Sequence, residues 1–289
     1  MDSTKSLTSV VDPVISLVPS PELRDTLRQS FSEEQAAVKS IEEFFRTLPA
    51  STWSKELLST FACSWKATHL KMLAIYGLSC RLQRAADGAG DRERADLYLA
   101  AARNAATSYE DLGLDFDGHT HAELYEDFAE ALTGGDLWQL RKYRLPEAQQ
   151  FSKWIYRNMV VEPIAEGLLT NMFSEIYNHG EYTIALPEAT AYFQQQTPLK
   201  EYDRRKAITY IAAHVEDEVE AAHFLVVVEA LDRYLAASKT QFDSQRASSV
   251  FRTYLRSLGA VMQKLTGMMR TELAGRPARS KAKAATGGA

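Results

Sequence analysis

The chain has 289 residues, 45% of them apolar and 25% charged, with a formal net charge of −5. That length is ample for a buried core, and the acidic balance argues against nucleic acid as the main partner. No run of about eighteen apolar residues occurs, and no basic segment leads into an apolar stretch near the N-terminus, so neither a membrane span nor a secretion signal is expected. Cys63 and Cys80 are the two cysteines. Seventeen residues apart on one predicted helix, they would lie roughly 25 Å from each other, too far for a disulfide. A reduced, cytoplasmic protein is expected.

Helix punctuation is plain along the chain. Ser20-Pro21 sets a capping hydroxyl before a proline suited to the first helical position, and a helix is predicted over 21–30. Ser32 and Gln35 have capping-box spacing, and 33–48 follows as the next helix. Apolar periodicity predicts helices over 53–84 and 91–111, divided by a glycine-containing loop at 85–90. Further helices are predicted over 121–133, 147–178, 188–196, 199–236 and 242–273. Pro146, Pro187 and Pro198 read as helix starts, and Gly275 with Arg276-Pro277 reads as a stop. No segment alternates apolar and polar residues for long between turn signals, so no strand is expected. Several helices exceed twenty residues without a sustained heptad, which points to a globular all-α bundle. With no repeat and no dividing linker, 1–275 reads as one domain. Residues 276–289 carry Arg276, Arg279, Lys281 and Lys283 and no acid, and read as a disordered basic tail. Without them the body carries −9.

Acids and histidines concentrate in three segments. The first runs from Glu110-Asp111-Leu112-Gly113 through a short loop to His121-Ala122-Glu123-Leu124. The second is an apolar helix holding Glu175 after Leu168, Leu169, Met172 and Phe173. The third is Tyr210-Ile211-Ala212-Ala213-His214-Val215-Glu216-Asp217-Glu218. His214 and Glu218 are four apart, so on a continuous helix they share a face. An imidazole and a carboxylate pointing into a bundle make half of a non-heme iron site, with Glu110, His121 and Glu175 as the other half. The plain alternative is a solvated face with a surface His–Glu pair. Against it, an unpaired acid among the apolar neighbours of Glu175 would cost several kcal/mol, which a metal ion would offset.

These motifs resemble those of the heme-oxygenase-like di-iron oxidases, relatives of thiaminase II and of pyrroloquinoline-quinone synthase. The acid pair with its glycine loop and His-x-x-Leu resembles the first metal motif of that family. The helix around Glu175 resembles its middle helix, and Tyr210-x-x-x-His214-x-x-x-Glu218 resembles its third motif. The resemblance covers about 90–235 and implies a heme-oxygenase-like bundle of about seven long helices. It also implies two Fe(II) ions held by Glu110, His121, Glu175, His214 and Glu218, with dioxygen as co-substrate. Asp111 competes with Glu110 for one place. The implied activity is oxidation or oxygenation of a small organic substrate of the amine, amino-acid or fatty-acid class, with neither nucleic acid nor membrane as a main partner and with room for a homodimer.

The family's third motif continues to a second histidine three residues after the acid. That position is Ala221 here. His223, nine residues from His214, would project about 180° away on an ideal helix and is set aside unless the helix is distorted. One metal site is therefore expected to bind more weakly. Glu220-x-x-His223 has ferritin-type spacing without a second copy and is also set aside. His69 reads as a core or surface histidine rather than a pocket residue. Alternative readings are a metal-depleted relative acting as a binding or regulatory protein, or a metal-free enzyme of the thiaminase II or quinone-synthase type. The lack of a cysteine motif counts against the thiaminase.

Overall fold

A computed structural model describes residues 5–69, 71–113, 118–196 and 199–276, without the side chains of Glu110 and Tyr202. The predicted basic tail lies outside the described residues beyond Arg276. Among the described residues there is no strand. The α-helices are α1 (Leu7–Ile15), α2 (Pro21–Glu33), α3 (Gln35–Thr47), α4 (Lys55–His69), α5 (Met72–Asp87), α6 (Asp91–Ala106), α7 (His121–Thr133), α8 (Pro146–Val160), α9 (Ile164–Gln195), α10 (Glu201–Ala213), α11 (Val219–Ser238) and α12 (Ser244–Ala274). No helix among them is long and apolar enough to cross a membrane.

Nine helical stretches are predicted and twelve helices are found among the described residues, because the chain breaks inside three of those stretches, α1 is additional, and 188–196 is part of α9. The predicted helix over 53–84 is α4 and α5, that over 147–178 is α8 and the first half of α9, and that over 199–236 is α10 and α11. The break after α8 is held by Arg81 of α5, whose guanidinium donates to the carbonyls of Met159 (2.9 Å) and Glu162 (2.5 Å). Carbonyls at a helix end have no partner within the helix, and the guanidinium satisfies them. Pro187 behaves in the opposite way. Read as a helix start, it instead lies within α9. An interior proline costs about 3 kcal/mol. Continuing the helix buries Ala189, Tyr192 and Phe193 beyond it, which offsets that cost. Ser20 caps α2 as predicted, its Oγ accepting from the Leu23 amide. Ser32 does not open α3; Glu34 does, and its buried carboxylate takes Arg252 and Arg256 of α12.

α9 is the axis of the bundle. From Gly167 to Tyr182 every side chain is buried, so this stretch is surrounded on all faces. It packs against α1, α3, α5, α8, α10, α11 and α12. Phe44, Phe45, Phe61, Trp65 and Phe128 form an edge-to-face and stacked aromatic cluster at one end of the core. α12 lies against α3 so closely that a Cβ on Gly259 would stand 2.6 Å from Ala37 Cβ and 2.7 Å from Ala37 Cα. Neither atom is the end of a flexible chain, so the helices would have to part.

Gly259→Ala should therefore destabilise the fold by about 1–3 kcal/mol through overpacking. Gly267→Ala, one turn or two further along α12, meets nothing within 4 Å. It should stabilise by about 0.5–1 kcal/mol through helix propensity. Urea denaturation of the two variants checks the opposite signs, and shifts in the same direction would contradict the packing described.

Candidate metal centre

Five side chains from four elements meet beside Glu175, and the helix breaks deliver most of them. α7 starts at His121 because Thr120 makes a capping box. Its Oγ1 accepts from the Glu123 amide (3.2 Å), and the Glu123 carboxylate accepts from the Thr120 amide (2.8 Å). His121 is thereby the first helical residue and is buried. Its Nδ1 lies 2.6 Å from Asp111 Oδ1. The loop between them closes tightly at Gly113, whose φ of 82° suits glycine and whose added Cβ would meet the Gly118 and His119 backbone at 2.9 Å. A carboxylate on one imidazole nitrogen orients the ring and directs the other nitrogen inward. Asp111, the alternative of the acid pair, makes this contact. The Glu110 side chain lies outside the described residues.

The third motif is arranged differently from the sequence expectation. α10 ends at Ala213, α11 begins at Val219, and a short 3-10 turn joins them. Asp217 and Glu218 have φ of 52° and 54°. Such left-handed residues cost on the order of 1–2 kcal/mol each, and they reset the helical phase. His214 and Glu218 consequently do not share a helix face. Glu218 is exposed at the N-cap of α11 and stands away from the cluster, which corrects its assignment as a candidate ligand. Glu220 takes the inward place, and His223, one turn on, comes with it. The argument that placed His223 opposite His214 assumed an unbroken helix, and it fails here.

His214 is buried, and its Nδ1 donates to the Tyr210 carbonyl at 2.6 Å. A carbonyl only accepts, so the bare nitrogen is Nε2, 3.7 Å from Glu220 Oε1. Burial, then the neighbouring His121, push the His214 imidazole well below its ordinary range, so it is neutral. The two rings stand 4.5 Å apart. Tyr182 and Tyr210 flank His214 and bond each other through their hydroxyls (2.7 Å). Burial raises both phenols, which stay neutral.

Glu175, Glu220 and His223 offer ligand atoms that all lie within 4.8 Å of one another. His223 Nδ1 is 3.8 Å from Glu175 Oε2. Burial opposes ionisation of Glu175, but Lys71, the Glu220 hydrogen bond and His223 outweigh it and hold its carboxyl low. Burial and the adjacent Glu175 charge drive Glu220 well above the carboxylate range. Glu220 therefore carries a proton that it donates to Glu175. Burial would lower Lys71, yet Glu175, Tyr254, Glu220 and Asp111 together raise it, and it stays an ammonium 3.3 Å from Glu175 Oε1. His69, buried with its Nε2 2.5 Å from Glu181 Oε2, also borders the cavity, contrary to its reading as an ordinary core or surface histidine.

The donor set fits a divalent cation. Three acids face the single ammonium of Lys71 among the described residues lining this cavity, and Glu220 Oε2 is buried without a hydrogen-bond partner. Carboxylates with neutral imidazoles are ligands for iron, manganese and similar ions. Lys71, Glu220 and His223 were absent from the sequence candidates. The Glu-x-x-His spacing was the signal for two of them, and no local pattern marks Lys71. A second space of about 300 Å3 adjoins this one, lined by Ala67, Met72, Leu73, Ala74, Ile155 and Tyr156, with Lys71, Asp111 and His121 at the shared wall. Cys63 is buried and Cys80 exposed, both are free, and neither borders the cavity.

No protein-family model matches the chain, and no curated protein sequence matches it. Among solved structures it is similar to a TenA homolog from Pseudomonas syringae pv. tomato, with a TM-score of 0.63 over 92% of this chain and 99% of that one at 13% identity. At that identity the likeness shows the fold alone: an all-α bundle like that of the TenA homolog.

Two substitutions separate the acids of the third motif. Glu218→Ala should leave Co(II) binding by metal-free protein within about twofold, since removing an exposed side chain changes little, whereas Glu220→Ala should abolish a binding step. A second comparison uses pH. Glu220 is held above its ordinary 4.5 in the folded, metal-free protein. Its contribution to stability is thus full below that value and is lost as pH rises. Glu220→Gln keeps a donor to Glu175 with no proton to lose. Without metal it should be more stable than wild type, by a margin that widens above pH 4.5 in denaturation curves. A constant margin would contradict the shared proton.

Proposed function

We propose that the protein is a non-heme, two-metal oxidase or oxygenase acting on a small organic substrate. The observation that carries this reading is the convergence of buried Glu175, Glu220, His121 and His214 with half-buried Asp111 and His223. Glu175, Glu220 and His223 would hold one ion, and His121 and His214, with Asp111 or Glu110, the other. Two Fe(II) ions bound there would supply dioxygen binding and activation.

The chain's own residues account for the rest. The Tyr210 carbonyl fixes the tautomer of His214, which presents its Nε2 without a reorganisation cost, and Asp111 orients the His121 ring at its Nδ1. Tyr182 and Tyr210 seal one side of the cavity with neutral, buried phenols. The outer pocket, apolar along most of its lining, would position the substrate against His121 and Asp111 while excluding water from its apolar body. The uneven metal affinity expected from Ala221 takes a different form. Glu175, Glu220 and His223 are already together, so the third motif builds the tighter site.

A second reading, a metal-free thiaminase II-type enzyme, draws support from the similarity in fold to the TenA homolog. The absence of a cysteine from the lining of the cavity, among the described residues, gives that reading no thiol nucleophile.

Anaerobic Fe(II) titration of chelator-treated protein should show two steps. His214→Ala and His223→Ala should each lower iron-dependent dioxygen consumption by at least about tenfold, with far-UV helicity retained. Failure to bind iron, or a His223→Ala variant as active as wild type, would count against this site. Turnover of a substrate by metal-free protein would favour the second reading.

A further inference from the structure

Lys71 stands where the two spaces meet. Its side chain walls both the outer pocket and the inner cavity, and it is buried against Glu175. The break between α4 and α5 puts it there. Lys71 caps α5 with non-helical φ and ψ of −118° and 7°, and its carbonyl accepts from the amides of Ala74 (2.8 Å) and Ile75 (3.2 Å). The backbone is thus anchored while the side chain turns inward. Its Nζ is held by the charge of the Glu175 carboxylate, whose Oε1 lies 3.3 Å away. The inner cavity measures about 20 Å3. In so small a space a metal ion at Glu175 and the ammonium of Lys71 compete for the same carboxylate. The direction of retreat is the outer pocket. Among the described residues its lining contains no other permanently charged cation.

We infer that Lys71 is the resident counter-cation of the metal-free centre and is displaced from Glu175 into the outer pocket when a metal ion takes that carboxylate, coupling metal loading to the binding of an apolar organic monoanion in that pocket. The inference rests on the reading of Glu175, Glu220 and His223 as a metal site. Asp111, the one carboxylate among the described residues of that pocket, is engaged by His121 at 2.6 Å, so a displaced ammonium there is poorly compensated, which opposes metal binding until a second anion pairs with it. The anion must then favour the metal by the same factor as the metal favours the anion, because binding linkage is reciprocal.

Chelator-treated protein is titrated with Co(II), with and without saturating benzoate, following the visible absorption of the bound ion. Benzoate is titrated calorimetrically with and without Co(II). In wild type, benzoate should tighten Co(II) at least about fivefold, and Co(II) should tighten benzoate by that same factor. Without benzoate, Lys71→Met should bind Co(II) at least about tenfold more tightly than wild type, the order expected for removing one close competing charge. Benzoate should then shift its Co(II) affinity by less than about twofold. Equal Co(II) affinities in wild type with and without benzoate would overturn the coupling, and this comparison needs no variant to fold. Coupling that survives in Lys71→Met would place the anion on the metal and overturn the role of Lys71. Co(II) binding no better than that of the double variant Glu175→Ala/Glu220→Ala would overturn the metal reading itself.

Discussion

An ionised carboxylate in the middle of a helix buried on every face sets the terms for everything near it. Glu175 lies halfway along α9, with Leu168, Leu169, Met172, Phe173 and Ile176 as buried neighbours. An isolated charge in such surroundings costs far more than a domain's net stability allows. The structure answers with a buried ammonium from Lys71, a shared proton from Glu220 and the imidazole of His223. Lys71 comes from the start of α5, and Glu220 and His223 lie a turn apart on α11. The packing of α5 and α11 against α9 is thereby tied to the charge state of one side chain.

The helix breaks are what make that convergence achievable. An unbroken α-helix presents an inward residue only every third or fourth position. The α4–α5 break brings both His69 and Lys71 to the cavity, the loop before α7 brings Asp111 and His121, and the α10–α11 break brings His214, Glu220 and His223. The strain is found at the same place, in the left-handed Asp217 and Glu218. Backbone strain of this kind persists where the surrounding structure holds it in place. α9, by contrast, runs on through Pro187 and gives the site a continuous support.

Fold alone does not assign chemistry, since one bundle serves unrelated functions. What distinguishes this cavity, among the described residues, is its combination of acids exceeding cations, a neutral His214 whose Nδ1 is taken by a backbone carbonyl, and an adjoining apolar pocket. A charged lysine stands between the two spaces and lines both.

The sequence by itself determined the class of fold and the segments that build the centre. Helix periodicity, caps such as Ser20, and the absence of alternating segments identify an all-α bundle, because these signals are local. Glu175, His121 and His214 stood out as polar residues in apolar helices, and all three line the cavity. Only the tertiary structure decided the remaining members. Exchanging Glu218 for Glu220 and bringing in His223 required a break in helical phase that no glycine or proline announces between Ala213 and Val219. The position of Lys71 depends on a break within a stretch of helix formers, and its partner is more than a hundred residues away along the chain. Local propensity fixes which residues are helical. Where two helices part, and so which side chains face each other, depends on burying charges that meet only when the bundle is assembled.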